Sequence, residues 1–190
     1  MTTISIIGTG NMGGAIAGIA AKGGAEVQLV ARGAAQTLTG DIVVLAVPYP
    51  AVDELLANYG DQLAGKTVVD ITNPLDFATF DGLVVPADSS AAAVIAAKVP
   101  DAHVVKAFNT NFAATLASGL VGDQPTTVLV AGDDQGAKDA LLAVVRAGGL
   151  RGEDAGSLSR ARELEALGFL QLTLAVGEKI GWNAGFALVK

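Results

Sequence analysis

The feature that most constrains this chain is an apolar run, Ile4-Ser5-Ile6-Ile7, that passes directly into Gly8-Thr9-Gly10-Asn11-Met12-Gly13-Gly14. The alanine-rich stretch Ala15-Ile16-Ala17-Gly18-Ile19-Ala20 follows at once. Glycines spaced Gly-x-Gly-x-x-Gly between a strand and a helix let backbone N–H groups come close to a pyrophosphate. The helix N-terminus adds the positive end of its dipole. Glycine-rich turns are common, so it is the setting between strand and helix that gives this one its meaning.

Strands and helices alternate along the rest of the chain, the pattern of a parallel sheet covered on both faces. The expected strands are Thr3–Ile7, Glu26–Ala31, Ile42–Val47, Thr67–Ile71, His103–Phe108 and Thr126–Ala131. The expected helices are Asn11–Lys22, Ala51–Tyr59, Ser90–Lys98, Asn111–Ser118, Asp134–Ala147 and a long one from about Leu158 to Glu178. One connection is too short for the usual plan. Only Arg32–Gly40 separate the second strand from Asp41, a reach of at most about 30 Å. That barely lets the chain cross beneath the first strand without a helix, so the customary third strand should be missing or vestigial and the second strand should form an edge. The expectation is a Rossmann-like, doubly wound α/β domain with a long C-terminal helix. A single domain over residues 1–190 is expected, with the core to about 155 and the helix and tail over about 156–190.

Composition narrows the function. Twelve basic against nineteen acidic residues give a net charge of −7, which disfavours nucleic-acid or anionic-membrane binding. The chain has no cysteine, so disulfides, thiolate zinc sites and cysteine nucleophiles are excluded. Metal-ligand spacing is absent too. No apolar run approaches ~18 residues, and no basic, signal-like segment precedes the first strand. A cytoplasmic protein is the expectation.

The end of the second strand normally selects the cofactor: an acid for the ribose hydroxyls of NAD, an arginine for the 2′-phosphate of NADP. Here it reads Val30-Ala31-Arg32-Gly33, with no acid nearby. Arg32 can hold a phosphate through a charge-assisted contact, so NADP(H) is expected. Three further strand ends fall at the crevice edge: Ala46-Val47-Pro48-Tyr49, Asp70-Ile71-Thr72-Asn73-Pro74 and Lys106-Ala107-Phe108-Asn109-Thr110. Asn73 could meet the nicotinamide ribose or carboxamide, while Asp70 should brace its loop.

Other candidates fall away. Gly60-Asp61-Gln62-Leu63-Ala64-Gly65-Lys66-Thr67 matches the phosphate-binding P-loop letter for letter, but a helix precedes it and a strand follows, the reverse of the required order. His103 is the sole histidine and starts a strand, away from the crevice. Neither Tyr49 nor Tyr59 is followed by the lysine of a Tyr-x-x-x-Lys acid. Lys106 is the one proton-donor candidate, read more readily as a snorkelling structural lysine. Hydride transfer to a flavin-like ring needs no side-chain acid, only two flat rings held face to face and dry. No catalytic side chain is therefore expected.

Taken together, these residues resemble the coenzyme F420 (deazaflavin)-dependent NADP oxidoreductase family, nearest its short bacterial reductases. The resemblance runs over essentially the whole chain and includes Ile7–Gly13, Ala31-Arg32, Ala46–Tyr49, Asp70–Pro74, Val105–Thr110 and Ala161–Phe169. The NADPH-binding domain of membrane metalloreductases is similar, more distantly. The resemblance implies that Gly8, Thr9, Gly10, Asn11 and Met12 bind the diphosphate. Ala31 and Arg32 would lie at the 2′-phosphate, with Ala31 where a serine is frequent. Ala46, Val47, Pro48, Tyr49, Asn73 and Pro74 would flank the nicotinamide half. Phe108, Asn109 and Thr110 would line the pocket of a deazaflavin or flavin substrate, with other small acceptors as alternatives. A homodimer through the C-terminal helix is implied as well, since that helix becomes apolar nearly all round from Phe169 to Val176 and must be buried. The expected activity is an NADPH-dependent oxidoreductase; the alternative is a non-catalytic NADP(H)-binding redox sensor. A reductase should leave an apolar, ring-sized space at Met12, Pro74 and Phe108, which a sensor would fill.

Overall fold

Runs of β-branched residues supply the central strands, and turns of glycine or proline end them. In the computed structural model, which describes residues 2–31, 33 and 36–189, the order is β1 (Thr3–Ile7), α1 (Asn11–Lys22), β2 (Glu26–Val30), β3 (Ile42–Leu45), α2 (Val52–Tyr59), β4 (Thr67–Asp70), α3 (Ala91–Lys98) and β5 (His103–Lys106). There follow α4 (Ala113–Ser118), the small hairpin β6 (Leu120–Val121) and β7 (Gln124–Pro125), β8 (Thr127–Gly132), α5 (Gln135–Ala147), β9 (Arg151–Gly156) and α6 (Ala161–Val176). Ser90 and Asp134 cap α3 and α5, accepting from the N–H groups of Ala93 at 3.0 Å and Ala137 at 2.7 Å.

The large sheet runs β2-β1-β3-β4-β5-β8-β9. It is parallel from β2 to β5, but β8 pairs antiparallel with β5, and β9 then pairs parallel with β8. The expected Rossmann-like sheet is present, and its far end adds one antiparallel pairing that the sequence reading did not give. Strand β9 escaped sequence reading because Arg-Gly-Glu-Asp-Ala-Gly has neither the apolar run nor the alternation of a strand. It is an edge strand, held through Lys138, whose Nζ donates to Asp154 at 2.9 Å.

The shortened crossing is as expected. Among the described residues no strand lies between Val30 and Ile42, and β2 is the edge. The chain passes so close to β1 that a Cβ on Gly40 would lie 2.3 Å from the Ser5 nitrogen. Side chains replace the missing ladder: Gln28 accepts from the Thr39 N–H at 3.0 Å, and Gln62 from the Leu38 N–H at 2.8 Å.

Two apolar layers sandwich the sheet. One joins Ile4, Ile6 and Val105 to Ile16 and Ile19 of α1 and Leu141 and Val145 of α5. The other joins Val43, Leu45 and Val68 to Val52 and Leu55 of α2 and Ile95 of α3. The long C-terminal helix is present over essentially the expected span, but the burial of its apolar residues differs from expectation. It begins with a 3₁₀ turn at Leu158–Arg160, and its regular part ends at Val176. Leu170 and Val176 stay about half exposed, whereas the polar Glu165 and Gln171 are buried. Its polar side chains, more than its leucines, fix how it seats. Among the described residues, no helix is long and apolar enough to cross a membrane.

Candidate functional site

The glycines of the first turn divide into two kinds. Gly8 has φ +118°, and a Cβ there would sit 2.1 Å from the Ala46 carbonyl oxygen. A Cβ on Gly13 would sit 2.0 Å from the Gly8 carbonyl oxygen. Both are required by the protein's own backbone, which brings α1 tight against β1 and β3. Gly10 is different. It has ordinary extended geometry, and a Cβ there would meet nothing within 4 Å. No internal contact requires a glycine at this N-cap, and its backbone is left open to the space beside the turn.

Two cavities open beside this turn. The first, about 510 Å³, is lined by Ile7, Gly8, Thr9, Gly10, Val30, Ala31, Gly33, Ala46, Val47 and Pro48, and by Ala51, Glu54, Leu55, Asn58 and Tyr59 from the start and body of α2. It lies at the carboxyl ends of β1, β2 and β3. The second, about 380 Å³, is lined by Asn11, Met12, Ile71, Asn73, Phe108, Asn109, Asn111, Phe112, Ala113, Ala114, Leu172 and Trp182. The residues between Gly10 and Met12 thus separate one space from the other, as a turn that carries a diphosphate between adenosine and nicotinamide halves would.

Most sequence-derived candidates meet at these two spaces. Gly8, Thr9, Gly10, Ala31, Ala46, Val47 and Pro48 line the first; Asn11, Met12, Asn73, Phe108 and Asn109 line the second. Three line neither. Tyr49 leans on the α2–α3 layer, where burial pushes its hydroxyl above the ordinary phenol range, opposed in part by Lys98. Pro74 is buried, and its carbonyl accepts from Val84. Thr110 is buried, its carbonyl taking a hydrogen bond from Gln171 at 3.1 Å. Arg32 lies outside the described residues. Sequence reading missed Glu54, Asn58 and Tyr59 in the first cavity, and Ile71, Asn111, Phe112, Leu172 and Trp182 in the second. Asn111 and Phe112 directly follow a predicted strand end and could have been included. Trp182 had no such signal.

A buried network braces the second cavity. Lys106 is wholly enclosed and does not snorkel, which corrects the sequence reading. Its ammonium lies 2.8 Å from Asp70 and 2.9 Å from Glu165, and donates to the Thr72 carbonyl as well. Asp70 also accepts from the Thr72 N–H at 2.8 Å, so it does brace its loop. Glu165 accepts from the N–H groups of Ala91 at 2.9 Å and Ala92 at 3.3 Å, at the N-terminus of α3. Burial pushes its carboxyl above the ordinary range, with Lys106 pulling the other way. Beside this network, Asn73 donates to the Asn109 carbonyl at 2.9 Å, and Asn109 donates to the Asn73 side chain at 2.9 Å and the Leu164 carbonyl at 2.8 Å. Gly168 lets α6 reach this pair: a Cβ there would lie 2.3 Å from the Asn73 oxygen. Phe108 adopts φ +62° between the two groups, a left-handed backbone that a bulky residue rarely takes. Such conformations persist where the surroundings over-determine them, and they gather at binding sites.

The P-loop-like segment lacks the strand–loop–helix order of a P-loop. Thr67 opens β4, and Lys66 donates to the Gly40 carbonyl at 2.6 Å. His103 is exposed at the start of β5, with its Nδ1 3.5 Å from Asp134. Among the described residues, no cluster of three metal-ligating acids or histidines occurs.

Comparison with known proteins agrees with this geometry. Residues 30–74, which span the first cavity's far wall and the Asn73 loop, match the family model described as NADP oxidoreductase, coenzyme F420-dependent. The F420-dependent NADP reductase of Methanocaldococcus jannaschii is 31% identical over 144 residues, covering 74% of this chain and 64% of that one. The metalloreductase STEAP3 of Rattus norvegicus is 38% identical over 112 residues, covering 59% of this chain and 22% of that one. The chain thus spans less than two thirds of the length of these curated relatives. A crystal structure from Arthrobacter sp. FB24, provisionally described as an F420-dependent NADP-reductase, superposes over 100% of both chains with a TM-score of 0.85 at 25% identity.

Proposed function

We propose that this chain, an NADP(H)-binding oxidoreductase fold related to the F420-dependent NADP reductases, is an NADPH-dependent reductase that passes a hydride to a small ring acceptor. The observation that carries the reading is the second cavity. A redox sensor would fill the space beside Met12 and Phe108 with side chains; here it is open and walled by aromatic, aliphatic and amide groups. Deazaflavin or flavin-like rings are the acceptors that the relatives' chemistry suggests.

The residues fit the cofactor by the test that Gly10 provides, since a side chain there would fill the space a pyrophosphate needs. Gly8, Thr9, Gly10 and Asn11 would hold the diphosphate, Ala31 and Arg32 the 2′-phosphate, and Ala46, Val47 and Pro48 the ribose between them. Asn11, Met12 and Asn73 would face the nicotinamide. When bound, the cofactor supplies the hydride. The protein orients the two rings, excludes water with Phe108, Phe112 and Leu172, and contributes no side-chain acid. NADPH oxidation across a panel of deazaflavin, flavin and quinone acceptors tests the reading; tight NADPH binding with no turnover on any of them would leave the sensor in its place.

Arg32→Ala is expected to lower the preference for NADPH over NADH roughly ten- to hundredfold, the worth of one charge-assisted phosphate contact. An unchanged preference in steady-state kinetics would remove Arg32 from the 2′-phosphate. The setting is the cytoplasm, where NADPH serves as reductant. The assembly is a homodimer through α6 and the tail after it, where Leu170, Val176, Phe186 and Leu188 leave apolar surface exposed. Light scattering on the purified chain should give twice the chain mass, and a monomeric mass at micromolar concentration rejects the dimer.

A further inference from the structure

We infer that the second cavity selects an uncharged, flat acceptor whose two-electron-reduced anion is stabilised by resonance, and discriminates against acceptors with phosphate, carboxylate or sulfonate tails. This rests on the reductase reading above and names its substrate class. Among the described residues no charged side chain lines it: four asparagines supply the polarity, and Met12, Ile71, Leu172, Phe108, Phe112 and Trp182 supply most of the rest. The cation behind the wall is not available to an anion. Lys106 has three N–H bonds, and they go to Asp70, Glu165 and the Thr72 carbonyl, all closed to solvent. The chain's net charge of −7 adds a repulsive background. An anionic group brought to such a wall loses hydration without gaining a partner, whereas a neutral ring loses little.

The absence of an acid from this lining decides the second half. In the reaction the acceptor ring gains a hydride, two electrons with one proton, as the nicotinamide C4–H bond breaks and a bond to a ring atom forms. The acceptor is reduced, the cofactor oxidised, and one negative charge is left on a ring oxygen or nitrogen until water delivers the second proton. A quinone or flavin core spreads that charge over its ring. A simple ketone would leave an alkoxide, which needs a proton donor in place as the bond forms. An aromatic face is available at the wall for a ring to pack on: Phe112 and Trp182 lie with centroids 5.0 Å apart, tilted by 54°, and Trp182 remains half exposed.

Riboflavin against FMN, and a neutral naphthoquinone against its sulfonate, test the charge rule, because each pair shares a ring and differs in an anionic group. Each neutral member is expected to have a kcat/KM at least about tenfold higher, as burial of an unpaired charge requires. Cyclohexanone should give no turnover. Trp182 is the only tryptophan in the chain, so quenching of its fluorescence reads acceptor binding without catalysis, and it should rank the pairs in the same order. Ala114→Lys, which adds a cation to the cavity's exposed edge, should improve FMN and narrow the riboflavin-to-FMN ratio. Equal or better kcat/KM for the anionic members, or a ratio unmoved by Ala114→Lys, overturns the inference while the reductase stands. Failure of every acceptor with NADPH still bound overturns both.

Discussion

Replacing Lys106 by methionine is expected to destabilise the protein by about 3–5 kcal/mol, the cost typical of removing one partner from a buried ion network. Methionine fills much of the lysine's volume, so the loss is electrostatic. It leaves Asp70 and Glu165 facing each other, both closed to solvent, and it frees the Thr72 carbonyl. Domains of this size have only about 5–15 kcal/mol to lose, and the urea midpoint should move accordingly. The pH dependence has a definite sign. Glu165 already has its carboxyl raised in the fold, chiefly by burial. A raised carboxyl favours the folded state in acid, and that contribution is lost as pH rises through the folded value. Without Lys106 the rise is larger, so the deficit should be greatest at neutral pH and shrink towards the ordinary carboxylate range. Adding Glu165→Gln should recover part of it. A single variant as stable as the parent at neutral pH would show that the network contributes little.

The two kinds of glycine in the first turn give the second large effect. Gly13→Ala would force a Cβ to within 2.0 Å of a backbone oxygen, and α1 can relieve this only by moving off the strands. Overpacking of this kind costs about 1–3 kcal/mol or more, and NADPH affinity should collapse with the turn. Gly10→Ala should behave otherwise: stability within about 1 kcal/mol of the parent, but NADPH binding weakened at least about tenfold, one 1.4 kcal/mol step. Melting and calorimetric binding on both variants separate the roles. If Gly10→Ala binds NADPH as the parent does, the diphosphate does not lie against that residue.

The glycine turn, the shortened crossing after β2 and the edge position of β2 were legible because each depends on local pattern and chain reach. What stayed hidden depends on partners far away in the chain. Glu165 sits in sequence beside Arg160, Arg162 and Glu163 and reads as part of a solvated face; only the fold brings Lys106 and the α3 N-terminus to it. Lys106 itself ends an apolar strand, where a long side chain would ordinarily reach for water. Tyr49, Pro74 and Thr110 sit at the predicted strand ends yet line neither cavity, since adjacent residues at a turn can face different ways. Trp182 belongs to a segment without regular structure, so no periodicity could assign it to a wall. Gln171 stands in sequence within an apolar stretch; in the fold it joins that segment to the cavity's loop, accepting from the Phe186 N–H at 3.0 Å and donating to the Thr110 carbonyl.

The antiparallel pairing of β8 with β5 has a consequence for how such a protein can diverge. Register places Lys106 opposite Ala131, so β8 enters the sheet from the same end at which β5 leaves it. The excursion between them, with Asn111, Phe112 and α4, therefore departs from and returns to one edge without crossing the sheet. A parallel strand in the place of β8 would have tied this segment to the opposite end. As it stands, the segment is an exchangeable cassette: its length and side chains can change what the second cavity accepts while the cofactor half, built from β1 to β3, keeps its shape.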